Sequence, residues 1–491
     1  MNMTNGAVWF GIALVFIAAI ISDVAKRRNM SGPIRHRPPP PPVVKLTVFI
    51  GLLHTLFTKG LQEMMFDQYK RFGSVFTVNF IGRKVTFLVG PKVSGHFYQG
   101  LDSEVSLNMF EFTVPMLGKD VGYSVDSAIR NEQNRFWTDA LKPSKLRTHV
   151  GPMLQEVEDY FAKWGVQGTI DLGQQFGHLI MLMTGRCLLG KEVRENMLDE
   201  FFTLYHEMAD NGTHLFSMLY PYAPTFANYR RNRARNKLSE MLVEIVRLRR
   251  RSNQVEKDVL QSLIDSKYKD GRPTTESEIT GLMIALIMAA KQSCSATITW
   301  TGVRLLTNPR WLALAIEEQK EIINKKGNYI DYNTLLEMYN LYLCIKETLR
   351  MHPPTPVLIR KVHEDFIVQT HEGHVYEIPR GHTIASPILL NTNIPHIYKD
   401  PKVYDPDRFA PPREEDKVGG KFSYLSFGGG RHACLGEAYA YTQIKVIWSH
   451  LLRNFELKLV SPFPKTDWSK VVPEPKEKVI VSYKRKQPPS K

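Results

Sequence analysis

The sequence predicts a mainly α-helical globular domain with a small β portion, placed behind an N-terminal membrane anchor. Three observations carry this prediction. An apolar run lies near the start of the chain, from Ala7 to Ile21. Residues 156–350 are rich in long amphipathic stretches with helical spacing. Strand-like segments are few and short, which favours helices as the main layers of the fold.

The bulk composition is typical of one large folded unit. The chain has 491 residues, of which 43% are hydrophobic and 23% charged, enough for a sizeable core. Its four cysteines are widely spaced and lack the pairing of a zinc site or a disulfide scaffold, which favours a reducing, cytosol-facing compartment. A net charge of +15 indicates acidic partners: nucleic acid, an anionic membrane leaflet or an acidic redox protein.

The predicted anchor occupies residues 1–28. Its apolar run precedes Lys26, Arg27 and Arg28, whereas a secretory signal carries its positive charge before the apolar run. The positive-inside rule then keeps the rest of the chain in the cytosol. Because the run is short for a bilayer span, a helix lying in the membrane interface stays open as an alternative.

Residues 29–42 are predicted to be a basic and proline-rich linker, and residues 43–491 the globular domain. Five consecutive prolines, Pro38–Pro42, favour an extended polyproline II spacer. In the domain, the patterns predict helices over Leu238–Arg250 and Trp311–Ile323. The predicted strands are Val75–Phe80, Lys84–Val89, Phe366–Gln369 and His374–Ile378.

Arginines are concentrated between residues 230 and 251. They fit either a nucleic-acid patch or a solvated helix face. Because no nucleic-acid-binding motif accompanies them, we expect a solvated face and no nucleic-acid partner.

A glycine-rich stretch around Cys434 carries the clearest chemical signal. A thiolate that binds a metal has to be kept deprotonated and dry, which requires backbone N–H donors and a positive helix end nearby. The glycines beginning at Gly428 allow the backbone to fold tightly around the sulfur, and a helix predicted from about Glu437 directs its N-terminus towards it. A glycine turn with an incidental buried cysteine is the plain alternative.

Residues 427–436 resemble the cytochrome P450 signature F-x-x-G-x-R-x-C-x-G. His432 stands where most members have arginine, a variant similar to the sterol 14-alpha-demethylase family. Glu347 and Arg350 resemble the Glu-x-x-Arg helix of the superfamily, and Arg408 resembles the second arginine of its structural network. The resemblance implies the P450 fold, haem (iron protoporphyrin IX) as cofactor, and Cys434 as the axial ligand of the iron.

The resemblance also implies residues that contact the haem. Arg360, His432 and Tyr123 occupy positions that donate to its propionates, and Arg135 is a fourth candidate. Phe427 is expected on the sulfur side of the porphyrin.

The predicted helix on the oxygen-binding side departs from the family. Gln292 replaces the usual histidine and cannot exchange a proton near neutral pH, whereas Ser293 keeps the hydroxyl of the usual threonine. We therefore expect Ser293 and ordered water to supply protons beside Gln292. On the substrate side, Leu117 replaces the usual phenylalanine and Ser124 the usual aspartate.

These departures favour a changed substrate over drift within a demethylase. The chain is similar to the divergent cereal branch, known from oat avenacin synthesis, that oxidises β-amyrin. That resemblance implies a monooxygenase that epoxidises an alkene or hydroxylates carbon 16 of a triterpene. An obtusifoliol-type sterol 14-alpha-demethylase, a peroxide-rearranging P450 relative and a haem protein without turnover are the alternatives.

The same resemblance implies the partners and the location. We expect an apolar triterpene or sterol substrate, O2, a membrane, and NADPH–cytochrome P450 reductase docking on the basic cysteine side. The expected location is the endoplasmic reticulum membrane, with the catalytic domain in the cytosol.

Overall fold

A computed structural model describes residues 37–44, 61–80, 83–107, 111–213, 215–252, 255–468 and 470–487. The predicted anchor segment Ala7–Ile21 and the basic cluster after it lie outside these residues. The described residues are mainly helical with a small β portion, so the predicted fold class is confirmed.

The described helices are numbered in chain order. They are α1 Leu61–Phe72, α2 Gly95–Gln99, α3 Val114–Leu117, α4 Ser127–Ala140, α5 Pro143–Ala162, α6 Leu172–Thr184, α7 Lys191–Asn196, α8 Leu198–Gly212, α9 Leu215–Leu219, α10 Phe226–Ser252, α11 Val259–Ile264, α12 Glu276–Leu306, α13 Pro309–Lys326, α14 Tyr332–Glu337, α15 Tyr339–Met351, α16 Ile388–Asn391, α17 Glu415–Val418 and α18 Glu437–Asn454.

The strands are numbered in the same way. They are β1 Val75–Phe80, β2 Arg83–Leu88, β3 Val105–Ser106, β4 Gln167–Asp171, β5 Leu358–Val362, β6 Phe366–Gln369, β7 Val375–Ile378, β8 Thr383–Ser386, β9 Phe455–Leu459, β10 Thr466–Asp467, β11 Glu474–Pro475 and β12 Ile480–Arg485. The four predicted strands correspond to β1, β2, β6 and β7, and the two predicted helices lie within α10 and α13.

The chain divides into two compact units, and the first contains the larger sheet. Its described residues fall within 37–107 and 357–391. The strand order is β1-β2-β8-β5-β3, with β2 parallel to β8 and the other neighbours antiparallel. Pro42 accepts a hydrogen bond from the Thr77 N–H, and Pro39 accepts one from the Glu377 N–H. The end of the proline run is therefore bonded to this unit.

The second unit comprises residues 108–356 and 392–491 and is built around α12. This helix begins with a capping box, in which Thr275 and Glu278 bond to each other's backbone N–H groups. At Gly302 the helix approaches Trp448 of α18 so closely that a Cβ would lie 2.6 Å from the indole ring. Among the described residues α12 is the helix long and apolar enough to cross a membrane, but it is mostly buried in the core.

The arginine-rich helix α10 is only partly a solvated face, which corrects the sequence-based expectation. Arg249 is buried and bonds to Glu192 and Asp258, and Arg231 is buried against Asn228 and the Pro221 carbonyl. A buried guanidinium is retained only where such partners surround it, and tertiary packing supplies them here.

Candidate functional site

The loop before α18 wraps the backbone around Cys434. Gly428 and Gly430 have φ of 71° and 64°, values that favour glycine. The Cys434 N–H donates to the Phe427 carbonyl at 2.8 Å, which closes the loop. A Cβ at Gly429 would lie 3.2 Å from the Phe422 ring. The glycine positions therefore follow from backbone conformation and close packing.

Cys434 is open to solvent on one face and packed on the other. Burial of the packed side raises the pKa of the thiol, and the N–H of Gly436, which bonds to the sulfur, opposes that rise. The N-terminus of α18 starts three residues after the cysteine and adds a positive partial charge. The sulfur thus has one backbone donor, a helix N-terminus nearby and an accessible side.

The middle of α12 lies near this cysteine. Cys294 of this helix is buried, and its pKa is raised by burial and then by the charge of Cys434. Ala289 is exposed and Ser293 is half-buried, although most of the helix between residues 278 and 305 is buried. The Ser293 hydroxyl donates to the carbonyls of Ala289 and Ala290. Its hydroxyl therefore lies along a partly open strip of the helix.

Gln292 is held by a residue that the sequence analysis missed. Its Nε2 donates to Glu474 Oε2 at 2.7 Å. Burial raises the pKa of Glu474. Because 182 positions separate the two residues, no sequence spacing indicated the pair. Gln292, which cannot exchange a proton itself, thus contacts a carboxyl group that can.

The segment on the predicted substrate side packs directly on α12. A Cβ at Gly281 would lie 2.4 Å from the Leu117 carbonyl oxygen, so glycine permits this close approach. Leu117 is buried, whereas Ser124 is exposed and donates to the carbonyls of Gly118 and Val121. Ser124 therefore closes its own turn. Tyr123 in the same turn is half-buried.

Glu347, Arg350 and Arg408 are brought together as the resemblance implied. The Glu347 carboxylate accepts from Arg350 at 2.7 and 2.9 Å and from Arg408 at 3.0 Å, and all three side chains are fully buried. Glu415, which the sequence analysis missed, bonds to the other side of Arg408. The second carboxylate balances the second buried arginine.

The remaining candidates are spread over both units. His432 and Phe427 lie in the cysteine loop, His432 half-buried and Phe427 with its ring centroid 5.4 Å from that of Tyr441. Arg360 belongs to the first unit, where it is buried over the Phe97 ring. Arg135 is exposed and donates to the Lys267 carbonyl at 2.7 Å. Its role as a donor to a haem propionate stays a prediction.

Comparison with known proteins identifies the family. Residues 38–481 match the family model described as cytochrome P450. The chain belongs to the cytochrome P450 family. This P450 is therefore a haem-dependent oxidoreductase of the monooxygenase class, as predicted. Its fold is also similar to the solved structure described as retinoic acid bound cyanobacterial CYP120A1, with a TM-score of 0.78, 21% identity, and coverage of 92% of this chain and 100% of that one.

Among its curated relatives are plant and animal sterol demethylases. It is 49% identical to an obtusifoliol 14-alpha demethylase of Sorghum bicolor, over 97% of this chain and 96% of the relative. It is also 49% identical to a sterol 14-demethylase of Arabidopsis thaliana, over 97% and 95%. A lanosterol 14-alpha demethylase of Bos taurus is 31% identical over 91% and 88%.

These relatives overturn the predicted triterpene substrate. That prediction depended on four positions: Leu117, Ser124, Gln292 and Ser293. Half of all positions match the sterol enzymes along nearly the full length, so the expected β-amyrin oxidase is wrong and the sterol alternative is favoured. The hydrogen bonds of Ser124 and Ser293 to backbone carbonyls give these two residues a local structural role that needs no change of substrate.

The residues of the P450 fit a haem. The cysteine sulfur has a backbone donor and one open side, as a thiolate ligand requires. Trp137 of α4 offers a second sign, because its Nε1 is buried and has no hydrogen-bond partner within the described part of the chain. A buried N–H of this kind suits an acceptor such as a haem propionate. Sequence reasoning missed Trp137, since a lone tryptophan at a helix end carries no motif by itself.

Proposed function

We propose that this P450 is a sterol 14-alpha-demethylase acting on obtusifoliol or a closely similar sterol. The observation that carries the proposal is the near-full-length identity, 49 and 50%, to two cereal proteins named obtusifoliol 14-alpha demethylase. The departures at four positions leave the cysteine loop, the buried arginine network and the Ser293 hydroxyl in place. These parts support the same class of oxidation.

In this proposal the Cys434 thiolate would hold the iron of the haem. When bound, the haem supplies the oxidising chemistry, which a thiolate ligand promotes by favouring cleavage of the O–O bond. Burial, and then the charge of Glu437, raise the pKa of the Cys434 thiol, and the Gly436 N–H opposes that rise. Gly428 and Phe427 shape the loop around the sulfur.

In the same proposal, other side chains bind the propionates of the haem or hold solvent for proton transfer. Tyr123, His432, Arg360 and Trp137 are our candidates for its propionates, because each is a hydrogen-bond donor. Ser293 holds solvent at the oxygen-binding side, since its hydroxyl can accept a further hydrogen bond while donating to the helix carbonyls.

We also propose that the protein acts at the endoplasmic reticulum membrane, where residues 1–28 anchor it. It would receive electrons from NADPH–cytochrome P450 reductase. An exposed apolar surface between α9 and the start of α10 supports contact with lipid. It consists of Phe216, Leu219, Tyr220, Tyr222, Phe226 and Tyr229. Aromatic and aliphatic side chains exposed together are costly in water and suit a membrane interface.

The test is reconstitution of the full chain with a plant P450 reductase, NADPH and obtusifoliol, with analysis of sterol products and formate. The expected result is the 14-demethylated sterol and one formate per sterol. A reaction without reductase is the control, and it separates a monooxygenase from a peroxide-rearranging enzyme. β-Amyrin serves as the comparison substrate. No sterol product under conditions where β-amyrin is oxidised would overturn the proposal.

A further inference from the structure

Four ionisable side chains from three elements meet behind the oxygen-binding segment of α12. Lys291 of α12 is only 9% exposed, and its Nζ lies 2.5 Å from His206 Nε2 of α8. The charges of Asp210, also on α8, and of Glu474, on β11, act on the same ammonium group. No residue of this cluster belongs to the cysteine loop.

Lys291 and His206 oppose each other's protonation. Burial lowers the pKa of both side chains, and the charge of Lys291 lowers the pKa of His206 further. Two cations at that separation repel each other, so protonation of one opposes protonation of the other. Asp210 favours the charged form of the pair from the α8 side. Lys291 of this pair adds a positive charge near Glu474, which lowers the pKa of that carboxyl.

Glu474 connects this cluster to the residue next to Ser293. Its carboxylate accepts the 2.7 Å hydrogen bond from Gln292, the residue next to Ser293. Burial raises its pKa, Asp467 raises it further, and Lys470, Lys291 and the Gln292 amide lower it. Lys470 Nζ is 3.9 Å away, and Asp467 pairs with Glu474 across β10 and β11. These groups face the carboxyl from its own hairpin and from α12.

We propose that Glu474 supplies protons to the Ser293 side of α12, that Gln292 positions its carboxyl, and that the Lys291–His206 pair sets its charge. The inference rests on the proposed monooxygenase function. Each cycle takes up two electrons and two protons per O2, puts one oxygen atom into the substrate and releases the other as water. Glu474 gives up its proton to solvent beside Ser293 and regains one from bulk water.

The competing explanation is a purely structural one, in which the hydrogen bond between Gln292 and Glu474 only holds the β10–β11 hairpin against α12. Glu474→Gln separates the two, because glutamine keeps an acceptor for the Gln292 amide but cannot titrate. Glu474→Asp restores a carboxyl. The matched control is Glu477→Gln, which removes a nearby carboxylate that bonds instead to the Lys465 N–H.

The first measurement is product formed per NADPH, with hydrogen peroxide release, across the pH range. In the wild type this ratio falls as pH rises through the raised pKa of Glu474, because the deprotonated carboxyl cannot donate. Glu474→Gln is expected to lower the ratio on the order of tenfold on the acidic side and to flatten the profile. Glu474→Asp restores a pH-dependent profile, and Glu477→Gln keeps that of the wild type. A Glu474→Gln profile identical to the wild type, or equal losses in Glu474→Gln and Glu477→Gln, would overturn the inference.

The second measurement does not depend on turnover. Infrared difference spectra of the resting protein, recorded through a pH titration, detect the C=O stretch of a protonated carboxyl group. We expect one band that Glu474→Gln removes and Glu477→Gln retains, and its persistence in Glu474→Gln would sink the inference. If the wild type makes no demethylated sterol, the proposed function has failed, and the infrared titration still decides the role of Glu474. The carbon monoxide spectrum of each variant checks that the cysteine site is intact.

Discussion

Replacing Glu347 by glutamine tests how much the buried arginine network contributes to the stability of the protein. Glu347 accepts four hydrogen bonds: two from Arg350, one from Arg408 at 3.0 Å and one from the Asp405 N–H at 3.0 Å. Glu347, Arg350 and Arg408 are fully buried. Glutamine occupies the same volume but removes the charge and turns one acceptor into a donor that faces guanidinium N–H groups.

The cost follows from this geometry. Breaking a buried ion pair by removing one partner costs about 3–5 kcal/mol, because a charge is left without compensation. Two arginines lose their shared partner here, and Glu415 compensates only Arg408. We therefore expect a loss near the upper end of that range, about 4–5 kcal/mol. This is a factor of about a thousand or more in a folding equilibrium.

The assay is the decay of the carbon monoxide spectrum of the reduced protein at a fixed elevated temperature. A decay rate is the suitable quantity because proteins that lose a cofactor on heating seldom refold. Glu347→Gln should lose the thiolate band far faster than the wild type, or fail to retain haem. Glu317→Gln is the matched control, since its pair with Lys320 is on the surface. Equal decay of Glu347→Gln and the wild type would refute the reasoning.

Four further predictions follow from other parts of the molecule. Cys434→Ala should abolish the red-shifted Soret band of the reduced, carbon monoxide-bound protein; a retained band would contradict the axial-ligand assignment. Ser293→Ala should lower sterol product per NADPH and raise peroxide release, because a hydroxyl that holds solvent is lost; an unchanged ratio would exclude that role. Removal of residues 1–36 should weaken membrane attachment in a flotation assay while haem binding persists, and loss of haem would contradict the predicted domain boundary. Burial lowers the pKa of Lys445 to about 8, so between pH 8 and 10.5 this group binds more protons in the unfolded chain than in the folded one. The free energy of unfolding should therefore gain up to about 3 kcal/mol from Lys445 as pH rises through that window. Lys445→Met should show a smaller rise in melting temperature than the wild type, and an equal rise would disprove the shift.

The substrate prediction failed because a few local departures were weighed apart from the whole chain. Gln292 was interpreted as the loss of a proton-exchanging group. In the folded protein its amide contacts Glu474, which carries an ionisable carboxyl. The residue type at position 292 does not reveal this partner, because Glu474 lies on another element.

The parts of this protein that short-range geometry dictates could be predicted from the amino-acid sequence. The cysteine loop was predictable because glycines at positive φ, the sulfur and the following helix start lie within ten residues. Glu347 and Arg350 were predictable as a pair, since residues three apart share a helix face. The helical periodicity and the strands β1, β2, β6 and β7 are local in the same sense.

The distant side chains that complete these local pieces could be identified from the three-dimensional fold but not from the sequence. Glu415 beside Arg408, the buried N–H of Trp137, the Lys291–His206 pair and Glu474 beside Gln292 carry no pattern of their own. Burial creates the need for each partner, because a charge or polar group taken out of water has to be compensated. The partner can lie up to 182 residues away in the chain, as Glu474 does from Gln292. Local propensity does not encode which distant residue the fold brings into contact.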